Sequence, residues 1–181
     1  MSRVRRKVDP NDGRRRCRWA ADDPLLAAYH DDEWGAPIRT SAGHLERMAL
    51  EIFQCGLSWK IVLLKRPALR RCFHRFQVDR VARFTSRDVD RLCRDPSIIR
   101  NRRKIEATIH NARKFRQIAR ESGSYCRWVA SLPAGTKAEQ DRLFAVFRQR
   151  FKFMGPETTK CYLMGFGKIP PDHEPGCWRS K

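Results

Sequence analysis

Four residues lying near the two ends of the chain, Cys17, His30, His173 and Cys177, make one complete Cys2His2 set. Thiolate sulfur and imidazole nitrogen suit tetrahedral zinc, and a site with four protein ligands leaves no position for substrate, so its chemistry is expected to be structural. Such an ion would tie the two ends of the fold together. The ligand order is not that of a zinc finger, which gathers its ligands locally. A plainer alternative makes Cys17 a spare thiol, His30 a helix-surface residue and Cys177 an incidental thiol of a short tail, since seven cysteines offer many chance groupings.

The elements that must position these residues read as helices throughout. Apolar residues recur at helical spacing and no Val/Ile/Tyr run alternates as a strand does, so the fold class is all-α, a compact helical bundle. Leu45, Met48, Ala49, Ile52 and Phe53 form one face of a helix predicted to open with Ser41 as N-cap and to close before Gly56. A short helix is predicted from Trp59 to Lys65, with a separate one opening at Pro67. Thr85 with Asp88 starts the next, which Pro96 ends. Ile105, Ile109, Ala112, Phe115 and Ala119 mark a long helix stopping before Gly123, and further segments lie around Trp128, around Leu143, Phe144 and Phe147, and from Pro156 to Met164. The length suits one domain, 17–181, preceded by a basic, disordered tail at 1–16 that has no periodic apolar face.

Lys plus Arg number 39 against 20 Asp plus Glu, a formal net charge of +19, which points to a polyanionic partner. Nucleic acid fits better than membrane, because arginine outweighs lysine, aromatic residues are interspersed and no stretch is apolar enough to insert. An odd number of cysteines and the lack of an apolar leader point to a reducing compartment, the cytoplasm. Residues 95–102 join two of the predicted helices closely enough for a helix-hairpin-helix. The unpaired N–H groups that open its second helix would seat one phosphate, with Arg100, Arg102, Arg103 and Lys104 adding charge around it. An ordinary helical corner with a solvated basic face is the alternative for this segment.

The run Tyr29-His30-Asp31-Asp32-Glu33-Trp34-Gly35, the pair Leu50-Glu51 and the run Gln54-Cys55-Gly56-Leu57-Ser58-Trp59 carry more than any composition figure. Together they resemble the type I DNA-3-methyladenine glycosylases of the helix-hairpin-helix superfamily, in which YHDxEWG, LE and GLSW recur at the same separations. The likeness continues through residues 98–115 and 151–159 to the His173–Cys177 pair. It implies zinc at Cys17, His30, His173 and Cys177. It also implies a monofunctional N-glycosylase of base-excision repair, hydrolysing the N-glycosidic bond of 3-methyladenine in alkylated DNA and leaving an abasic site. Its partners would be double-stranded DNA as substrate and free 3-methyladenine as product, with the protein a monomer and no membrane involved.

3-Methyladenine in DNA carries a delocalised positive charge, so its glycosidic bond is already weakened and the base leaves as a neutral molecule. The enzyme must unstack the lesion, hold it in a pocket and stabilise the positive charge that moves onto the sugar. Aromatic faces suit a cationic purine. The resemblance implies that Tyr29 and Trp59 line that pocket with Glu51, and that Trp19 and Trp34 lie close by. Glu51, as the best available carboxylate, would accept hydrogen bonds from the base edge and is the expected catalytic group, with water as nucleophile. Leu57 on the Gly56-Leu57-Ser58 turn would fill the gap in the stack as an apolar wedge. Without the motif the aromatics would read as core residues, and Glu51 as the solvent edge of an apolar helix face.

Three departures from the family pattern bear on substrate preference. Leu26 stands where many members carry a tyrosine, and Ser97 replaces the hairpin glycine, which would strain a turn of positive φ. The third is a stretch from Gly155 to His173 that is one residue longer. His44, His74 and His110 read as surface or satisfied residues, and Cys55, Cys72, Cys93, Cys126 and Cys161 as small core residues. Two other functions compete with excision: a catalytically weak lesion-binding protein that keeps the pocket, and a zinc-stapled basic adaptor that binds nucleic acid by charge alone.

Overall fold

The computed structural model describes residues 12–180, and among them every regular element is helical. Ten α-helices follow in order: α1 (Arg18–Ala21), α2 (Pro24–Asp32), α3 (Ser41–Gln54), α4 (Trp59–Cys72), α5 (Val78–Val81), α6 (Ser86–Arg94), α7 (Arg102–Ser122), α8 (Tyr125–Ser131), α9 (Lys137–Arg150) and α10 (Pro156–Gly165). None is long and apolar enough to cross a membrane. The contacts sort into two compact units. Ile38–Leu163 forms one, and the segments before Ile38 and after Leu163 form the other.

In the larger unit α7 is the axis, packed against α3, α5, α6 and α8. Its apolar positions Ile105, Ile109, Ala112 and Phe115 are fully or almost fully buried, as a helix interior to a bundle requires. Helix α3 goes further, since every residue from His44 to Phe53 is buried. A helix surrounded on all sides has no solvent edge, so Glu51 does not lie at one. Glu46 is buried too, and Arg66 of α4 meets it at 2.5 Å with Arg70 Nε at 2.9 Å from both of its carboxylate oxygens. His44 is a satisfied core residue, its Nδ1 lying 2.9 Å from the Tyr162 hydroxyl.

Several boundaries differ from the expectations. Thr40, not Ser41, caps α3, its Oγ1 accepting from the Gly43 N–H at 3.1 Å. Residues 59–72 form one helix rather than two, with Pro67 inside it. A proline opening a helix and one interrupting a helix look alike in sequence. Here the buried face Val62, Leu63, Arg66, Leu69 and Cys72 keeps its period through the proline, and packing outweighs the missing hydrogen bond. Thr85 and Asp88 do form the expected capping box of α6. Ser97 has no positive φ, so its strain does not arise. Its N–H donates to Asp95 Oδ1 at 2.8 Å instead. Cys55 is exposed, unlike the expected core cysteine, because it sits in the turn that leaves α3.

The smaller unit holds α1, α2 and the C-terminal segment, which α10 reaches as it leaves the larger unit. Asp23 caps α2 through the N–H groups of Leu25 and Leu26, with Pro24 at the first helical position. Residues 12–16 of the tail expected to be disordered over 1–16 are among the described residues. Arg16 is buried and bonded to Asp12 and Asp31, so order extends at least to Asp12, and 1–11 lies outside the described residues.

Candidate functional site

In the smaller unit the four metal-ligand candidates converge. Ligand atoms of Cys17, His30, His173 and Cys177 all lie within 4.8 Å of one another. Cys177 Sγ is 3.3 Å from His30 Nε2, and His173 Nδ1 is 3.7 Å from both sulfurs. Around one ion with bonds of about 2.3 Å to sulfur and 2.0–2.1 Å to nitrogen, tetrahedral geometry gives sulfur–nitrogen edges of about 3.6 Å, so the set fits a metal ion.

The surroundings fit it as well. Burial pushes the Cys17 thiol up, against the opposing N–H of Glu174, which lies 3.3 Å from the sulfur; a cation is what would hold it as thiolate. Burial lowers His30 and His173, which keeps both imidazoles in the neutral, ligating form. His30 turns its other nitrogen, Nδ1, to Asp31 Oδ1 at 2.8 Å, the carboxylate support typical of a ligating histidine. Asp31 in turn receives Arg16 Nη2 at 2.8 Å, Arg16 Nε at 3.1 Å and the Trp178 indole N–H at 3.2 Å. Burial alone would raise Asp31, but these donors outweigh it and hold the carboxyl below its ordinary range. Asp31 stands in the sequence as the third residue of the YHDxEWG run, whereas Arg16 and Trp178 belong to no motif there.

The same ligands carry an aromatic cluster. Trp34 meets His173 edge-on at 4.5 Å, Trp19 meets Trp34 at 5.3 Å and 83°, and Trp19 also contacts His30 and Tyr29. Trp19 and Trp34, two of the four aromatics expected at or beside the base pocket, thus pack on the metal-ligand histidines, and Tyr29 packs on Trp19. Tyr29 is buried, while Trp19 is 38% exposed and offers a free face.

In the larger unit stands the acid. Glu51 is buried on α3, one helical turn after Arg47, whose Nη1 is 4.0 Å from its Oε1, too long for a hydrogen bond. Burial pushes its carboxyl up to about 7, with Arg47 only partly opposing. The Arg47 guanidinium also lies 5.8 Å from the centre of the Trp59 ring, so acid, cation and aromatic form a row. Arg47 was missed in the sequence, although a cation four residues before Glu51 inside an apolar run was a signal.

After Glu51, α3 ends in a tight turn. Leu57 N–H donates to the Gln54 carbonyl at 2.6 Å, Cys55 has φ −48° and ψ 112°, and Gly56 has φ +79°. Those are type II angles, which call for glycine at the third position. Leu57 projects from it 37% exposed, and Ser58 caps α4 by accepting from the Ile61 N–H. At the start of α7 Arg100, Arg102 and Arg103 are exposed, with Arg102 paired to Asp90 and Glu106. Lys104 departs from the expected cluster around a phosphate. It is buried, and its Nζ donates to the carbonyls of Phe53 at 2.9 Å and Cys55 at 2.5 Å. A basic run on a helix places one residue in four inward, and Lys104 takes that place.

A family model for methyladenine glycosylases matches residues 19–147. DNA-3-methyladenine glycosylase 1 of Escherichia coli (strain K12) is 39% identical over 90% of this chain and 95% of its own length. A crystal structure of 3-methyladenine DNA glycosylase I superposes with a TM-score of 0.81 at 35% identity, covering 92% of this chain and all of that one. The Staphylococcus aureus 3-methyladenine DNA glycosylase I, solved to explain its recognition of 3-methyladenine, gives 0.78 at 30% identity over 90% and 94% of the two chains. The chain belongs to the methyladenine glycosylase family.

Proposed function

We propose that this protein is a monofunctional DNA N-glycosylase of base-excision repair that hydrolyses the N-glycosidic bond of 3-methyladenine in alkylated double-stranded DNA. It releases the free base and leaves an abasic site. It works as a monomer in the cytosol or nucleoid, where its substrate is. The observation that carries the chemistry is Glu51, a buried carboxyl whose proton is poised near neutrality on a helix with no solvent edge.

In its ionised form Glu51 accepts hydrogen bonds from the base edge and attracts the cationic purine, which an unmodified adenine cannot match. As the glycosidic bond breaks, the same charge faces the positive charge developing on the sugar. Tyr29, Trp34 and Trp59 each supply a stacking face, with Trp19 beside Trp34. Water attacks the sugar, and no lysine takes part in a covalent step. Cys17, His30, His173 and Cys177 hold zinc; when bound, the ion cross-links the N- and C-terminal segments and contributes no step of the reaction. On the DNA side α6 and α7 act as a helix-hairpin-helix. The N–H groups opening α7, with Arg100, Arg102 and Arg103 around them, seat a phosphate and position the duplex without reading sequence. Gly56, Leu57 and Ser58 form the turn that faces the duplex, and Leu57 enters the stack as the wedge.

A lesion-binding protein without catalysis is the competing reading, and release of base separates the two. DNA treated with a methylating agent is incubated with the zinc-replete protein and the released bases are resolved by chromatography. Wild type is expected to release 3-methyladenine, with kcat/KM rising as pH rises through about 7, where Glu51 of the free enzyme loses its proton. Glu51→Gln should lower the rate about a hundredfold or more, as removal of one electrostatic stabiliser does. No release by wild type would sink the glycosylase reading, and unchanged release by the variant would remove Glu51 from it.

A further inference from the structure

We propose that Lys104 is a positioning residue that latches the Leu57 turn in its wedge-bearing form; the inference rests on the glycosylase reading given above. A type I and a type II turn differ by a flip of the central peptide, here the Cys55–Gly56 peptide. The observed angles are the type II pair. Gly56 permits that form but does not select it, because glycine takes either sign of φ with little preference. A Cβ at Gly56 would meet nothing within 4 Å, so the glycine answers the sign of φ and not a close neighbour.

What does select it is a charged donor on the flipping carbonyl. The Lys104 ammonium lies 2.5 Å from the Cys55 carbonyl and 2.9 Å from that of Phe53. These carbonyls lie at the end of α3, where helix acceptors run out of internal partners and the dipole favours a cation. Flipping the peptide would turn the Cys55 carbonyl away and leave a buried ammonium one acceptor short, an expensive outcome. The same residue belongs to the first turn of α7, where its backbone N–H donates to the Asn101 Oδ1 cap at 3.2 Å. Lys104 therefore fastens the wedge turn to the end of the helix that meets phosphate. A duplex seated on α7 meets a wedge already fixed in place.

The latch matters only where a stack must be opened. The test compares wild type, Lys104→Met, Lys104→Arg, Leu57→Ala and the Lys104→Met/Leu57→Ala double variant, all zinc-loaded. Each is given methylated duplex and an oligonucleotide of the same sequence methylated as a single strand. Two further readouts are binding of free 3-methyladenine and fluorescence of 2-aminopurine placed beside an abasic-site analogue in duplex DNA. Lys104→Met should lower duplex excision about ten- to a hundredfold, the rate equivalent of one lost charge-assisted hydrogen bond. Its single-strand excision and free-base binding should stay within about twofold of wild type, because no stack is opened there. It should also flatten the 2-aminopurine signal. The double variant should lose no more than Leu57→Ala alone, since both act through one wedge. Lys104→Arg, which keeps charged donors, should retain duplex excision better than Lys104→Met and decides the matter if that variant does not fold. Equal loss on both forms of DNA, additive loss in the double variant, or no loss would overturn the latch. If wild type itself releases no base, the glycosylase reading fails, and the 2-aminopurine signal still tests the latch.

Discussion

Asp31 and Glu51 are both buried carboxylates, one beside the metal-ligand cluster and one on α3, and their surroundings push them in opposite directions. Asp31 is ringed by donors from Arg16, His30 and Trp178, which overcome burial and hold it ionised. Glu51 has one guanidinium at 4.0 Å, and burial wins, keeping its proton to about pH 7. A carboxylate enclosed by matched donors serves the fold. One buried at a cost to itself marks a place where stability has been given up for something else.

The comparison breaks most visibly at Asp31. Asp31→Asn keeps the volume but removes one of the two carboxylates that the buried Arg16 faces, leaving Asp12 as its remaining acid partner, so the cost should approach but not reach the about 3–5 kcal/mol of a buried charge stripped of its partner. It also withdraws the carboxylate from His30 Nδ1, and losses of such support typically weaken metal binding about 10–100-fold. The expected result is a large fall in Tm together with faster metal release to a chelator. A variant that melts like wild type and keeps its metal would mean that the ring of donors is not what stabilises this unit.

Glu51→Gln should do the reverse, and its sign follows from proton linkage. Folding raises the pKa of Glu51 from 4.5 to about 7, so the folded state holds its proton where the unfolded state has lost it. Wild-type stability from this group is complete below about pH 4.5 and is lost as pH rises through about 7, a total of about 3 kcal/mol. Glutamine removes that slope. Near pH 4 the two proteins should unfold at similar denaturant concentrations, and by pH 8 the variant should be the more stable. Parallel stability curves across this range would show that Glu51 is not protonated in the folded state.

Much of this was legible from residue type and spacing. The capping box of Thr85 and Asp88 and the long α7 rest on local signals that tertiary structure leaves alone, whereas the Cys/His set, split between the two ends, rests on residue type and on the family resemblance. What was not legible depends on which neighbour a side chain finds. Arg16 reads as one more charge in a basic tail, and only the fold brings it to Asp31. Lys104 reads as the last of three cations in a row, and only its helical phase turns it inward to Cys55. The burial of Glu51 was hidden for the same reason. Periodicity marks the apolar face of α3 but does not reveal that the opposite face is covered as well. Pro67 shows the converse, a strong local signal overridden by packing.

The smallest expected effect tests how the balance at Glu51 is set. Arg47 is the cation that pulls the Glu51 pKa down against burial, and it also lies over the Trp59 ring. Arg47→Met keeps a long apolar side chain and removes the charge. Glu51 should then hold its proton to higher pH, by about one unit or less for a charge already separated from the carboxylate by more than hydrogen-bond distance. The stability slope and the rising limb of kcat/KM should both move up together, because both report the same proton. The position of the midpoint is the readout rather than the level of stability, since Arg47 packs as well as pairs. A midpoint that stays in place would mean that burial alone sets Glu51 and that Arg47 serves Trp59. A midpoint that moves down would reverse the contrast with Asp31, because Arg47 would then be raising the carboxyl that it faces.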